Sequence, residues 1–454
     1  MASTNRSNLT YMIIMKQTSA RPSANLCAMF FAGMAILSTL MVPATARAED
    51  EAILRLGIVS FLSGPAAGPF GVPAANAAKM MVGALNAGRI PQPYNGIGIA
   101  GAQIEIVLVD EAGGVTKQVT EYRNMIQRRG VDAVIGYISS GSCLGIAPVA
   151  EEMKVLTVFH TCGTPRIFEE ANYRYVFRTA SHSATDGIGA ARYLVDRFPN
   201  LKSYAGINQN YAWGHDSWRD FEGALKVLKP DFEFKTHQLP KLFAGQYNAE
   251  ISALLVSRPD ALHSSLFGGD LEAFIFQATA RGLHENTRLI LTTGETMMFQ
   301  LAKRLPDGLI MGARGPYGVF ASDTPINKWF RKEFQDNFGL LPTYPAYMMG
   351  QAILGLKAAY EAVKTKDALP DTEAVVDAFS FLEYTAIGTT VKMALGEGHQ
   401  AITGTAYGIF GHNEDTGAPV INNVISYSAE CVNPPASTNT VDWIAQGMPG
   451  AQCD

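Results

Sequence analysis

The most restrictive feature of this chain is its rhythm. From Leu54 onward, short β-branched runs alternate with helical stretches of about 10–15 residues, the spacing of βαβ units on a parallel sheet. Strands are expected over Leu54–Ser60, Ile104–Val109, Ala133–Gly136 and Val155–Phe159, with helices over Pro73–Ala87, Thr116–Arg129 and Ser142–Met153. The rhythm restarts after Arg178. Ala184–Phe198, Trp213–Leu228, Asn248–Val256 and Leu271–Arg281 read as helices, between strands at Tyr204–Ile207, Phe232–Thr236, Ala261–Phe267 and Leu289–Thr292. One doubly wound sheet rarely needs so many crossovers. The pattern therefore implies two α/β lobes, with a ligand at the carboxyl ends of their strands. A helical block over Pro325–Phe381 precedes β-like runs at Thr403–Phe410 and Val420–Tyr427, and a Pro/Ser/Thr/Asn-rich tail after Cys431 reads as a loose appendage.

Residues 1–48 stand apart. They carry Arg6, Lys16, Arg21 and Arg47 and no acid, an apolar run from Leu26 to Val42, and small residues at Ala46 and Ala48. Basic flank, apolar run and A-x-A site read as a cleaved signal peptide, so the mature protein is expected to be exported. Cleavage after Ala48 takes the net charge from −5 to −9. With that charge and no basic run, no nucleic-acid partner is expected. Charged residues are 17% of the 454, below the ~25% of an average domain, and 47% are apolar, enough for a large core.

The loops after the strands carry the chemistry. Phe61-Leu62-Ser63-Gly64-Pro65 through Phe70-Gly71 follows the first strand, and its small residues leave room for a ligand. Ser139-Ser140-Gly141-Ser142 ends a strand and opens a helix, where N–H groups and hydroxyls can hold a carboxylate at the positive helix terminus. Val109-Asp110, Ala133–Ser142, Tyr175–Thr179, Trp213-Gly214, Gly268-Gly269 and Gly294-Glu295 follow in order. As an ordered set, over about Leu54–Tyr427, they resemble the type I periplasmic binding proteins of the branched-chain amino acid family.

The resemblance implies two doubly wound α/β lobes with a hinge of three crossovers, near Ala180, Arg314 and Thr389. Lobe I would be residues 52–180 plus 315–388, lobe II 181–314 plus 389–428, and 429–454 a C-terminal tail. It implies ligand contacts from Ser140, with Ser139 beside it, and from Thr161 and Gly163, which complete a carboxylate nest. Phe70 would line the pocket from lobe I and Trp213 would close on it from lobe II. Glu295 matches an acid that pairs with a ligand ammonium. Asp270 stands where relatives carry an aromatic, so two acids would face one cleft and favour an amino-bearing ligand. The function implied is the substrate-binding component of an ABC importer, capturing a small amino acid, amide or carboxylate. Its partner would be an ABC permease in the inner membrane. It would act as a monomer, with no catalytic residue, metal or cofactor.

Other readings weigh less. Gly96–Gly101 matches GxGxxG but precedes a strand instead of following one. Gly141-Ser142-Cys143-Leu144-Gly145 resembles a nucleophile elbow, and His160 lies on a neighbouring strand end. A secreted cysteine hydrolase is thus one alternative, although no orienting acid is placed for it. An exported ligand-sensing receptor domain of the same fold is another. The four cysteines beyond residue 48 allow 3 pairings. Cys143–Cys162, on adjacent strand-end loops, and Cys431–Cys453, bracketing the tail, are preferred.

Overall fold

The computed structural model describes residues 52–365 and 368–453, so the expected leader lies outside the described residues. In chain order the strands are β1 Ile53–Ser60, β2 Gln103–Asp110, β3 Ala133–Gly136, β4 Thr157–Phe159 and β5 Val176–Arg178; then β6 Ser203–Ile207, β7 Glu233–Gln238, β8 Ala261–Ser264, β9 Arg288–Leu291 and β10 Ile310–Gly312; then β11 Glu383–Thr385, β12 Thr390–Leu395, β13 Gln400–Ile402, β14 Thr405–His412 and β15 Pro419–Tyr427. Among the described residues they form two sheets, ordered β11-β12-β13-β5-β4-β3-β1-β2 and β15-β14-β10-β9-β8-β6-β7. The first five strands of each lobe run parallel in the same order: second, first, third, fourth, fifth; in lobe I, β13 adds a further parallel strand beside β5. Each lobe therefore has a switch point between its first and third strands, where an open α/β sheet leaves a crevice.

Sequence explains the layers. β3, β4 and β5 are short and buried throughout, as strands covered by helices on both faces must be. The edge strands β7 and β15 carry Glu, Lys, His and Asn and, apart from the buried Tyr427, stay exposed or half-buried, which discourages further strand pairing. Under the lobe I sheet lies the helix Tyr344–Ala362, almost wholly buried, with Pro345 in its first turn. It packs against the Ala-rich helix Val72–Asn86, whose small side chains permit close approach.

Two expected boundaries are corrected. The third crossover falls after Ile402, not near Thr389, because β12 and β13 belong to the lobe I sheet. Gln400 pairs with Arg178 of β5, and Tyr384, Val391, Met393 and Ala401 are buried in the lobe I core. The C-terminal tail is not loose. Helices Ala429–Val432 and Thr440–Ala445 pack on helices Ser183–Arg197 and Ala212–Leu228 of lobe II. Trp443, Ile444 and Met448 are buried in the lobe II core, and a disulfide joins Cys431 to Cys453. The tail's polar composition suggested a coil, but three spaced apolar side chains outweigh it. Trp443 is 1% exposed, so Trp443→Ala should destabilise the protein by about 3–5 kcal/mol in chemical denaturation. An unattached tail would lose nothing.

Candidate functional site

A narrow cavity with about 230 Å³ of unfilled space, part of it continuous with solvent, lies where the two switch points face each other. Lobe I supplies Phe70 after β1, Ile138 and Ser140 after β3, and Thr161 and Gly163 after β4. Lobe II supplies Tyr211 and Trp213 after β6, Phe267 after β8, Thr293 after β9 and Arg314 after β10, and Tyr344 opens a lobe I helix. All but Tyr344 sit just past a strand's carboxyl end, as the topology dictates.

Ser140 is fixed by what it accepts. Its Oγ takes the N–H groups of Gly163 and Thr164, each at 3.2 Å, which leaves the hydroxyl proton free to donate into the cavity. The loop before it is shaped by the buried Glu111 carboxyl, which accepts from Ile138 and Ser139 N–H at 2.8 Å each. Burial raises Glu111 to about 8. Thr161 Oγ1 bonds the ring of His160, and burial lowers His160 to about 3, so that imidazole stays neutral.

Arg314 organises the other wall. Its Nε pairs with Asp186 at 3.0 Å, Nη1 donates to the Thr161 carbonyl, and Nη2 donates to Ser181 O at 3.2 Å. Its guanidinium lies 4.4 Å from the Trp213 ring centroid. Trp213 is held by its own Nε1, which donates to Ser265 O at 2.8 Å. Burial raises Asp186 to about 6 despite the neighbouring arginine.

The lobes are closed on each other. Thr164 Oγ1 donates to Asp216 at 2.6 Å, Gly269 N–H donates to Pro65 O at 2.8 Å, and Phe70 meets Phe267 edge-on with centroids 5.3 Å apart. Gly163 touches the Trp213 ring so closely that a Cβ there would fall 2.1 Å from Cζ3.

Of the expected contacts, Phe70, Ser140, Thr161, Gly163 and Trp213 line the cavity. Ser139, Asp270 and Glu295 do not. Ser139 Oγ instead accepts from Ser142 N–H at 3.5 Å, capping the helix Ser140–Met153. The Asp270 carboxylate is buried and accepts from Gln209 Nε2 and from Phe243 and Gly245 N–H, which fixes lobe II loops. Glu295 reaches across to lobe I and accepts the Tyr344 N–H at 2.9 Å, at the start of the helix Tyr344–Ala362. The two acids expected to face the ligand both serve backbone N–H groups instead, because unpaired donors at loop and helix ends attract carboxylates. Sequence reasoning missed Arg314, Tyr211, Tyr344, Phe267, Thr293 and Ile138. The sequence marks Arg314 only as a crossover, although an arginine directly after an apolar strand is a usable signal. Cys143 and Cys162 are joined by a disulfide, so the turn at Gly141–Gly145 offers no thiolate for a hydrolase.

Two α/β lobes that close over a small cavity at facing strand ends define a ligand-enclosing binding protein. The chain belongs to the periplasmic binding protein family, whose model matches residues 54–408. A leucine-specific-binding protein of Salmonella typhimurium is 23% identical over 302 residues, 66% of this chain and 77% of its own. The solute-binding protein of an ABC transporter from Rhodopseudomonas palustris BisB5, solved with 3,4-dihydroxybenzoic acid, is similar with a TM-score of 0.72. It shares 19% identity and covers 85% of this chain and 99% of its own. A leucine-binding protein from Thermotoga maritima gives 0.67 at 17% identity, covering 82% and 98%.

Two outcomes follow from closure. Gly163→Ala should hold the cleft ajar, lowering ligand affinity by roughly tenfold or more, or ~1.4 kcal/mol, and widening the protein in small-angle scattering with little change in melting temperature. Burial raises the Glu295 carboxyl from 4.5 to about 8 in the closed form. Parting the lobes exposes it and returns it toward its ordinary value, so closure takes up a proton between those limits. Affinity should therefore fall as pH rises from about 5 to about 8, by at most about tenfold per pH unit, and Glu295→Gln should flatten that slope in calorimetry.

Proposed function

We propose that the chain is the substrate-binding component of an ABC importer and that its ligand is a small single-ring aromatic carboxylate. The observation that carries this reading is the lining. Phe70, Tyr211, Trp213, Phe267 and Tyr344 surround the cavity, Arg314 is the charged residue among them, and among the described residues no carboxylate lines it. An amino acid enclosed there would bury its ammonium without a counter-charge, which is costly. An aromatic ring instead meets ring faces and edges. The Ser140 hydroxyl, the opening turn of the helix Ser140–Met153 and the Arg314 side suit an anionic end. The R. palustris relative solved with 3,4-dihydroxybenzoic acid supports the same class.

In this reading residues 1–48 are removed on export, and the mature protein works in the periplasm as a monomer, since one pair of lobes encloses the site. Ligand favours the closed form by its differential affinity, and the closed surface is what an inner-membrane permease would recognise. The lobes are residues 52–180 with 315–402 and residues 181–314 with 403–453. The test is calorimetry with benzoate, 4-hydroxybenzoate, phenylalanine and leucine. The two benzoates should bind more tightly than either amino acid, and Ser140→Ala should cost benzoate about 1–3 kcal/mol. Preference for leucine or phenylalanine would overturn the aromatic-acid assignment while leaving the transport role standing.

A further inference from the structure

A second cavity, with about 750 Å³ of space continuous with solvent, lies between the hinge strands and the C-terminal segment. Its lining draws on all of these parts: Phe168, Arg178, His182, Leu395 and Pro434 among others. Arg178 ends β5, and its residue is 0% exposed. Its Nε donates to Gln400 Oε1 and its Nη1 to the carbonyls of Cys162 and Thr164, but Nη2 has no partner. Among the described residues no carboxylate oxygen lies within 4.0 Å of it, whereas Arg314 has Asp186 at 3.0 Å. His182 is 2% exposed, and neither ring nitrogen has a partner. It stands at the N-cap of the 15-residue helix Ser183–Arg197, the positive end of that helix.

We propose that this cavity is a second binding site, for a small monocarboxylate anion bridging Nη2 of Arg178 and the ring of His182. Glu169 and Asp216 act on the Arg178 guanidinium only from a distance, and a buried guanidinium with no carboxylate in contact is costly, a cost that one bound carboxylate removes. These nitrogens are buried beneath the cavity wall, so the anion must part the side chains over them; one oxygen then accepts from the arginine and the other from the His182 N–H, a charge-assisted arrangement. Burial and the positive charges of Arg178, Arg219 and Arg314 lower His182 to about 3, so its ring is neutral and has one N–H to give. Phe168, Leu395 and Pro434 offer apolar walls to a short alkyl tail. Glu169 and Glu397 are exposed and also line the cavity, and they disfavour a second negative charge, which selects monocarboxylates over dicarboxylates. Arg178 belongs to lobe I and His182 begins the first helix of lobe II, so the occupant spans the hinge. The site is independent of the aromatic-acid reading of the cleft.

The test is a titration of the full chain with acetate, followed by NMR of labelled histidine rings and assigned with His182→Phe. A saturable shift of the His182 resonance is expected. It should persist in Ser140→Ala, vanish in Ala436→Trp, which plugs the cavity from an exposed lining position, and weaken with malonate in place of acetate. Acetate settling in the main cleft would perturb His160 instead and depend on Ser140. That result, no saturable shift, or a His182 shift that survives Ala436→Trp would overturn the proposal.

Discussion

The buried guanidinium of Arg314 ties the cleft to the hinge. It leaves β10 at the second crossover, pairs with Asp186 on the first helix of lobe II, and donates to the backbone of Thr161 in lobe I and Ser181 at the first crossover. Its flat face lies against Trp213, the ring that presses on Gly163. One side chain thus links two of the three hinge passages to both walls of the ligand cavity. A lysine could not do this, because a single ammonium lacks both the fork of donors and the planar face.

Closure depends on small residues as much as on large ones. Phe70 meets Phe267 edge-on across the cleft with centroids 5.3 Å apart, and within lobe I it meets Tyr344 edge-on at 5.4 Å. These rings approach only because Gly269 reaches the Pro65 carbonyl and Gly163 has no Cβ to meet Trp213. Glu295 then bridges the lobes through the Tyr344 N–H. Its burial makes the closed form a better proton acceptor than the open one, so closure and protonation are linked.

The two acids show why site reading from a sequence runs out. Gly294-Glu295 and Gly269-Asp270 stand at strand ends, where ligands bind, and nothing in their spacing shows which way a carboxylate turns. Asp270 turns to Gln209, Phe243 and Gly245, none of them near it in sequence, and Glu295 turns to a helix that starts 49 residues later. The tail misled in the opposite direction. Its composition is that of a coil, yet Trp443 finds a groove that exists only once the helices Ser183–Arg197 and Ala212–Leu228 have packed.

By itself the sequence determined the parallel sheets, the two lobes and the strand-end address of the site. Those follow from local periodicity and turn chemistry, which act over a few residues. Resemblance to the family's ordered motifs added Phe70, Ser140, Thr161, Gly163 and Trp213 at that address, in the loops and helix starts that follow strands, and all five line the cavity. Only the tertiary structure decided the cleft's charge. Arg314 entered it and the two carboxyl groups turned away from it because each buried polar group took partners that offset its desolvation, and those partners lie far away along the chain.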